Sequence, residues 1–196
     1  MLRKKIISMI IIIFAISFKL FDNAFKSGLK QILYNTFNKL EKNGKKLYTL
    51  NMKFLVINGP NLDMLSKRDK KHYGDFTLKE LQKFIKDFCK ENGVGVKFFQ
   101  SNFEGKIIEK LHKAECDCVI LNAGAFTHYS YAIRDAIECI KPKVIEVHIS
   151  DISAREDFRK VSVIKDVCIY SVMGQGKLSY TKAIEYFIGK AKNGNN

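Results

Sequence analysis

The sequence predicts an α/β fold, a five-stranded parallel sheet with helices on both faces. Three observations carry that expectation. From Lys53 onward, short apolar runs alternate with amphipathic stretches of helical period. The runs are short and apolar throughout, as strands covered on both faces are. Five such β–α units follow one another, which is the pattern of a parallel sheet joined by crossover helices. For five strands the flavodoxin-like order 2-1-3-4-5 is the leading choice. It places a ligand at the carboxyl ends of the strands, near the switch between strands one and three.

The elements follow in order. Phe54, Leu55, Val56 and Ile57 make a short buried strand. Thr77 or a neighbour caps a helix whose Leu78, Leu81, Phe84, Ile85 and Phe88 form one stripe, ending near Gly93. Residues 94–99 read as strand two, and 104–114 as a helix with Ile107, Ile108 and Leu111 inward. Strand three is 118–121, followed by a helix over 131–140 that Pro142 stops. Strand four spans 144–149, strand five 167–172, and a closing helix 178–191.

Composition narrows the function. The 196 residues suit one domain with a sizeable core plus something extra, and 46% hydrophobic content excludes general disorder. The net charge of +14 is unevenly spread. Residues 1–51 hold ten Lys/Arg against two Asp/Glu, and the rest of the chain holds 24 against 18. The domain is thus modestly basic, which fits a small anionic substrate. It has no Arg-rich run or aromatic-interleaved basic stripe, so no nucleic-acid partner is expected. The five cysteines are odd in number and fall mostly in apolar patterns, the usage of reduced, buried thiols. Cys116 and Cys118 lack a second ligand pair at metal spacing, and no metal is expected.

Residues 1–20 read as an address. Arg3, Lys4 and Lys5 precede an apolar run over 6–18 of secretory length. Residues 19–51 are basic, rich in Lys and Asn, and poor in acids. Together they suggest a two-part leader over 1–51, meeting membrane only transiently on a secretory route to a plastid-like organelle. The folded domain is then 52–196. Translation from Met52 would instead leave a cytoplasmic protein.

The chemistry gathers at the ends of strands one, three and four. After strand one, Asn58-Gly59-Pro60-Asn61-Leu62 opens a stretch without clear period up to Gly74, and long loops of that kind are usually functional lids. It carries Arg68 and Tyr73; a guanidinium beside a phenol favours the phenolate, the form that acts as a base. After strand three, Asn122-Ala123-Gly124-Ala125-Phe126-Thr127-His128 opens a helix with Arg134 and Asp135. Small residues and a helix start suit an anion, and His128 serves either as a cap or as a ligand contact. Strand four turns polar at its end, where residues i and i+2 share a face, so Glu146 and His148 should stand side by side. A carboxylate beside an imidazole fixes its tautomer and favours the protonated ring that a general acid needs. Two arginines, Arg155 and Arg159, follow within reach of an anionic ligand.

These segments together resemble type II 3-dehydroquinate dehydratase, from about Lys53 to Phe187. The resemblance rests on Ile57-Asn58-Gly59-Pro60-Asn61-Leu62, the spacing of Arg68 to Tyr73-Gly74, Gln100-Ser101-Asn102-Phe103-Glu104-Gly105, the 122–128 segment, Arg134-Asp135, and Glu146-Val147-His148-Ile149-Ser150. It implies that Tyr73 is the base that takes a C2 proton, giving an enolate, and that Arg68 keeps Tyr73 ionised. His148, held by Glu146, would protonate the departing C1 hydroxyl. Asn61 would help stabilise the enolate. Asn122 and the backbone at Ile149 and Ser150 would hold the carboxylate. His128, Arg159 and Asp135 from an adjacent subunit would grip the ring hydroxyls. The resemblance implies no cofactor or metal, and a homododecamer built as a tetramer of trimers.

The sequence departs from the family in places. The family usually has Asn at Asp151 and often His or Tyr at Ser153; Lys70 replaces a common Pro, Phe103 a frequent polar residue, and the glycine pattern over 172–180 is blurred. Asp151 would oppose an anionic substrate if it pointed inward. Two further readings stay open, a flavodoxin-like nucleotide or flavin module and an inactive relative acting in binding or assembly. The absence of a phosphate-loop motif speaks against the first.

Overall fold

The computed structural model describes residues 52–193; the leader read at 1–51 lies outside the described residues. The five strands are β1 (Lys53–Asn58), β2 (Gly95–Gln100), β3 (Cys118–Asn122), β4 (Lys143–Val147) and β5 (Tyr170–Val172). They form one parallel sheet in the order β2-β1-β3-β4-β5. Between them run α1 (Lys70–Tyr73), α2 (Leu78–Glu91), α3 (Glu104–His112), α4 (Tyr131–Glu138) and α5 (Leu178–Asn193).

The two-residue period of the strands sorts their side chains into two apolar layers. Phe54, Val56, Cys118, Ile120, Ile145 and Val147 meet α2 through Leu81, Ile85 and Cys89, and α5 through Tyr180, Ala183, Ile184 and Ile188. Leu55, Ile57, Val119, Leu121 and Val144 meet α3 through Ile107 and Leu111, and α4 through Ile133, Ala136 and Ile137. Each such fully buried aliphatic contributes about 1.5–3 kcal/mol relative to exposure. Two polar sets interrupt the layers at the carboxyl ends. Asn58 and Asn122 continue the α2–α5 layer, and Glu146 continues the α3–α4 layer.

Local signals start the helices where expected. Thr77 caps α2 with a complete capping box, its hydroxyl accepting from the Glu80 amide while the Glu80 carboxylate accepts from the Thr77 amide. Ser130 caps α4 by accepting from the Ile133 amide at 2.9 Å. Three expectations change. Strand four leaves the ladder at Val147, although the His148 amide still donates to the Val172 carbonyl at 2.9 Å. Strand five begins only at Tyr170, because 165–167 closes a 3-10 turn in which the Cys168 amide returns to the Lys165 carbonyl. The stretch after strand one also has local structure, a 3-10 turn at Leu65–Lys67 and the single helical turn α1. Leu62 and Leu65 anchor it in the core.

The ends of β1 and β3 meet more closely than side chains allow. The Gly59 amide donates to the Asn122 carbonyl at 2.7 Å. A Cβ on Gly59 would lie 2.3 Å from the Ala123 carbonyl oxygen, a backbone atom that cannot move alone. Overpacking of this kind costs about 1–3 kcal/mol. Gly59→Ala is therefore expected to lower stability by at least that range in denaturant unfolding; unchanged unfolding would show that the two strand ends can part freely.

Candidate active site

The strand ends open into a cleft whose lining includes Asn61, Arg68, Tyr73, Asn122, His128, His148, Ile149, Ser150, Arg155 and Arg159. Among the described residues its walls present three guanidiniums and no carboxylate, so the cleft is suited to an anion.

Tyr73 comes from α1, at the end of the segment that leaves β1. Arg68 Nη2 donates to its phenol oxygen at 2.5 Å, and the same guanidinium lies 3.6 Å from the ring centroid. Arg155 Nη1 donates to that oxygen as well, at 3.3 Å. Burial lowers the Arg68 pKa from its ordinary value, against the pull of Tyr73. That of Arg155 is raised, first by its hydrogen bond to Tyr73. Both stay cationic. Arg155 was visible in the sequence as one of two arginines after strand four, yet nothing there linked it to a residue 82 positions earlier.

Glu146 and His148 are placed as their spacing predicts. His148 Nε2 lies 2.8 Å from Glu146 Oε1 and donates to it, leaving Nδ1 as the ring nitrogen not held by the carboxylate. Glu146 itself has no exposed surface. Burial alone would raise its pKa, but hydrogen bonds from His148, Thr127 and Ser162 outweigh burial and hold it below the usual carboxylate value. Ser171 adds a longer contact, 3.3 Å to Oε2. The three hydroxyls were not foreseen. Thr127 stands beside a residue that was singled out, but Ser162 and Ser171 carry no periodicity or motif that marks them.

On the other side of the sheet crest, Asn122 Nδ2 donates to the Tyr180 hydroxyl at 2.9 Å, and that hydroxyl donates to Asn58 Oδ1 at 2.6 Å. Asn122 Oδ1 accepts from the Gly124 amide at 3.2 Å. Tyr180 is fully buried, which raises its pKa far above the cleft's working range, so it acts here as a neutral hydroxyl. Asn58 Nδ2 has no hydrogen-bond partner among the described residues.

Asn61 is held at the cleft edge in a left-handed conformation, φ 63°, which Asn tolerates better than most residues. Its amide donates to Asn102 Oδ1 at 2.8 Å, and Gln100 reaches both Asn102 and the Gly59 carbonyl. The 100–102 segment thus lies behind the cleft and shapes the loop that carries Asn61. His128 Nδ1 donates to the Val161 carbonyl at 2.7 Å. Arg159 Nε lies 3.4 Å from Glu156 Oε2 without hydrogen-bond alignment. Asp135 is exposed on α4 and does not line this chain's cleft.

Asp151 does not point inward. Its carboxylate accepts from the Ser153 amide at 2.9 Å and hydroxyl at 2.6 Å, capping a 3-10 turn at the surface. Those bonds, the hydroxyl's first, keep its pKa low. The departures at 151 and 153 therefore partner one another. Phe103 is exposed, with Lys106 Nζ 5.0 Å from its ring centroid, and lies outside the cleft.

Comparison with known proteins places this geometry. The Dehydroquinase class II family model matches residues 52–188. The 3-dehydroquinate dehydratase of Thermotoga neapolitana is 54% identical over 135 residues, covering 69% of this chain and 93% of that protein. Its counterpart in Fusobacterium nucleatum is 49% identical over 142 residues, covering 70% of this chain and 97% of that protein. Among solved structures, the type II dehydroquinase of Butyrivibrio crossotus matches with a TM-score of 0.68 at 46% identity, covering 69% of this chain and 97% of that one. A match of this extent, over a sheet of the expected order, means that the chain belongs to the dehydroquinase class II family.

Proposed function

We propose that the chain converts 3-dehydroquinate to 3-dehydroshikimate and water, an anti elimination through an enolate in the shikimate pathway. The observation that carries this reading is Tyr73, whose oxygen receives two guanidiniums in the same cleft as a Glu146-held His148. A phenolate accepts such donors better than a phenol does. The substrate's C2 hydrogen is acidified by the adjacent C3 ketone. Tyr73 takes that proton, and the electron pair forms the C2–C3 enolate. Re-formation of the ketone then makes the C1–C2 double bond as the C1–O bond breaks. His148 gives its proton to the departing hydroxyl, which leaves as water. Arg68 and Arg155 orient and charge-stabilise Tyr73, and Asn61 helps stabilise the enolate. Asn122 with the backbone at Ile149 and Ser150 receives the carboxylate, and His128 and Arg159 the ring hydroxyls. The cleft's own residues perform every proton transfer in this scheme, so it calls on no cofactor. An inactive relative is disfavoured by the survival of Tyr73, His148 and their partners in bonding geometry.

We further propose a homododecamer, a tetramer of trimers, in which Asp135 serves a neighbouring cleft; its exposure on α4 supports that role. Residues 1–51 are proposed to be an address toward a plastid-like organelle, a reading supported by their apolar run and basic, acid-poor composition.

Tyr73→Phe keeps the ring and removes only the reacting oxygen. Turnover of 3-dehydroquinate should fall about 10²–10⁴-fold with the circular dichroism spectrum unchanged; activity within a few-fold of wild type would remove Tyr73 from the mechanism. His148→Ala should still exchange the C2 proton with solvent, followed by NMR in deuterated water, while forming no product. Glu146→Gln should be milder, because it keeps the packing and weakens only the hold on the imidazole. Normal product formation by His148→Ala would require another donor. For assembly, light scattering on protein beginning at Met52 should show a trimer or larger species. A fully active monomer would overturn the shared site.

A further inference from the structure

The Glu146 carboxylate is tied to more than its histidine. Oε1 accepts three bonds, from His148 Nε2 at 2.8 Å, Ser162 Oγ at 2.7 Å and Thr127 Oγ1 at 2.5 Å. Ser162 belongs to the 155–163 segment, which also brings Arg155 and Arg159 to the cleft. That segment is fastened to the turn after β3. The Val163 amide donates to the Thr127 carbonyl at 2.8 Å, His128 Nδ1 to the Val161 carbonyl at 2.7 Å, and Arg134 Nη1 to the Val163 carbonyl at 2.7 Å.

We infer that Ser162, with Thr127 beside it, is a positioning residue for the dehydration: its hydroxyl locks Glu146 Oε1 against His148 and joins that pair to the segment bearing Arg155 and Arg159. This deepens the reading above and rests on His148 as the proton donor. Both hydroxyl oxygens lie within hydrogen-bond distance of Oε1, and they are 3.0 Å from one another. The carboxylate cannot turn without breaking a bond, so the imidazole it holds keeps one orientation. The Ser162 bond means that movement of the 155–163 segment is felt at His148 through Glu146.

The other groups near Glu146 do not replace this link. Ser171 on β5 reaches only Oε2, at 3.3 Å. Cys168, before β5, has its thiol pushed up to about 12 by burial first and then by Glu146, so it stays neutral. Arg134 on α4 is engaged with Val163 and lies 3.9 Å from Glu138. With few charges to stabilise it, ionised Glu146 depends on neutral donors and the imidazole. The carboxylate is held below its ordinary value by those bonds, so removing one must raise it.

The test compares Ser162→Ala with Ser162→Thr, which keeps the hydroxyl. In Ser162→Ala, kcat should fall about 10-fold, as for loss of other orienting partners, with KM within about twofold. The acid limb of the kcat–pH profile should move to higher pH. A 13C-detected carboxyl titration should show the Glu146 midpoint raised, and Ser162→Thr should restore both readouts. An unmoved midpoint overturns the inference even if kcat falls, since a merely structural loss would do that. An unmoved kcat overturns it as well. The titration needs no turnover, and failure of the donor assignment shows separately, as normal product formation by His148→Ala.

Discussion

An ionised carboxylate with no exposure, set in a strand of Val and Ile, is the constraint on which the carboxyl end of this sheet depends. Desolvating such a charge costs on the order of several kcal/mol. Glu146 offsets that only by collecting four donors, His148, Thr127, Ser162 and Ser171. They come from four separate places: the turn after β3, the end of β4, the segment beyond it, and β5. Any arrangement of the loops that left Glu146 without them would be disfavoured, so one buried charge selects a common position for all four. The requirement fixes geometry more than it adds stability, because a buried ion pair is a poor source of net folding energy.

The sign of charge at the cleft follows a complementary logic. Three arginines converge on a small volume, and their mutual repulsion is tempered by groups held just outside. Glu156 lies 3.3 Å from Arg155 and 3.4 Å from Arg159 while remaining at the surface. The one carboxylate of the His148 pair is buried outside the cleft lining, to which His148 contributes. Asp151, the added acid of this chain, is turned into its own capping turn by Ser153. The cleft stays basic because Glu146 and Asp151 are each turned toward partners outside its lining.

Much of this was legible in the sequence, for reasons that differ by element. The sheet could be read because buried parallel strands and amphipathic helices differ sharply in period. The Glu146–His148 contact could be read because it depends only on strand alternation. Arg68 and Tyr73 could be paired because five residues separate them. What could not be read is whatever depends on distant chain meeting: Arg155 against Tyr73, Ser162 and Ser171 on Glu146, and Tyr180 between two asparagines. Serine and tyrosine carry no positional signal of such roles. The short β5 also escaped, since the apolar residues before it, Val167 and Cys168, serve the α3–α4 layer from a turn and a connecting loop instead of a strand.

Tyr180 gives the protein's synthesis an order. The residue sits in the first turn of the last helix, and its hydroxyl joins Asn58, at the end of the first strand, to Asn122, at the end of the third. Until α5 docks, those two amides have no protein partner on that side, and burying them unpaired costs about 1–3 kcal/mol each. A chain emerging from the ribosome can therefore pair β1 with β3 before α5 appears but cannot settle the crest where the cleft forms. Asn122, in the cleft lining, becomes fixed only once the last helix has docked. Partial chains would carry an unfinished cleft, which ties the onset of binding to completion of the molecule.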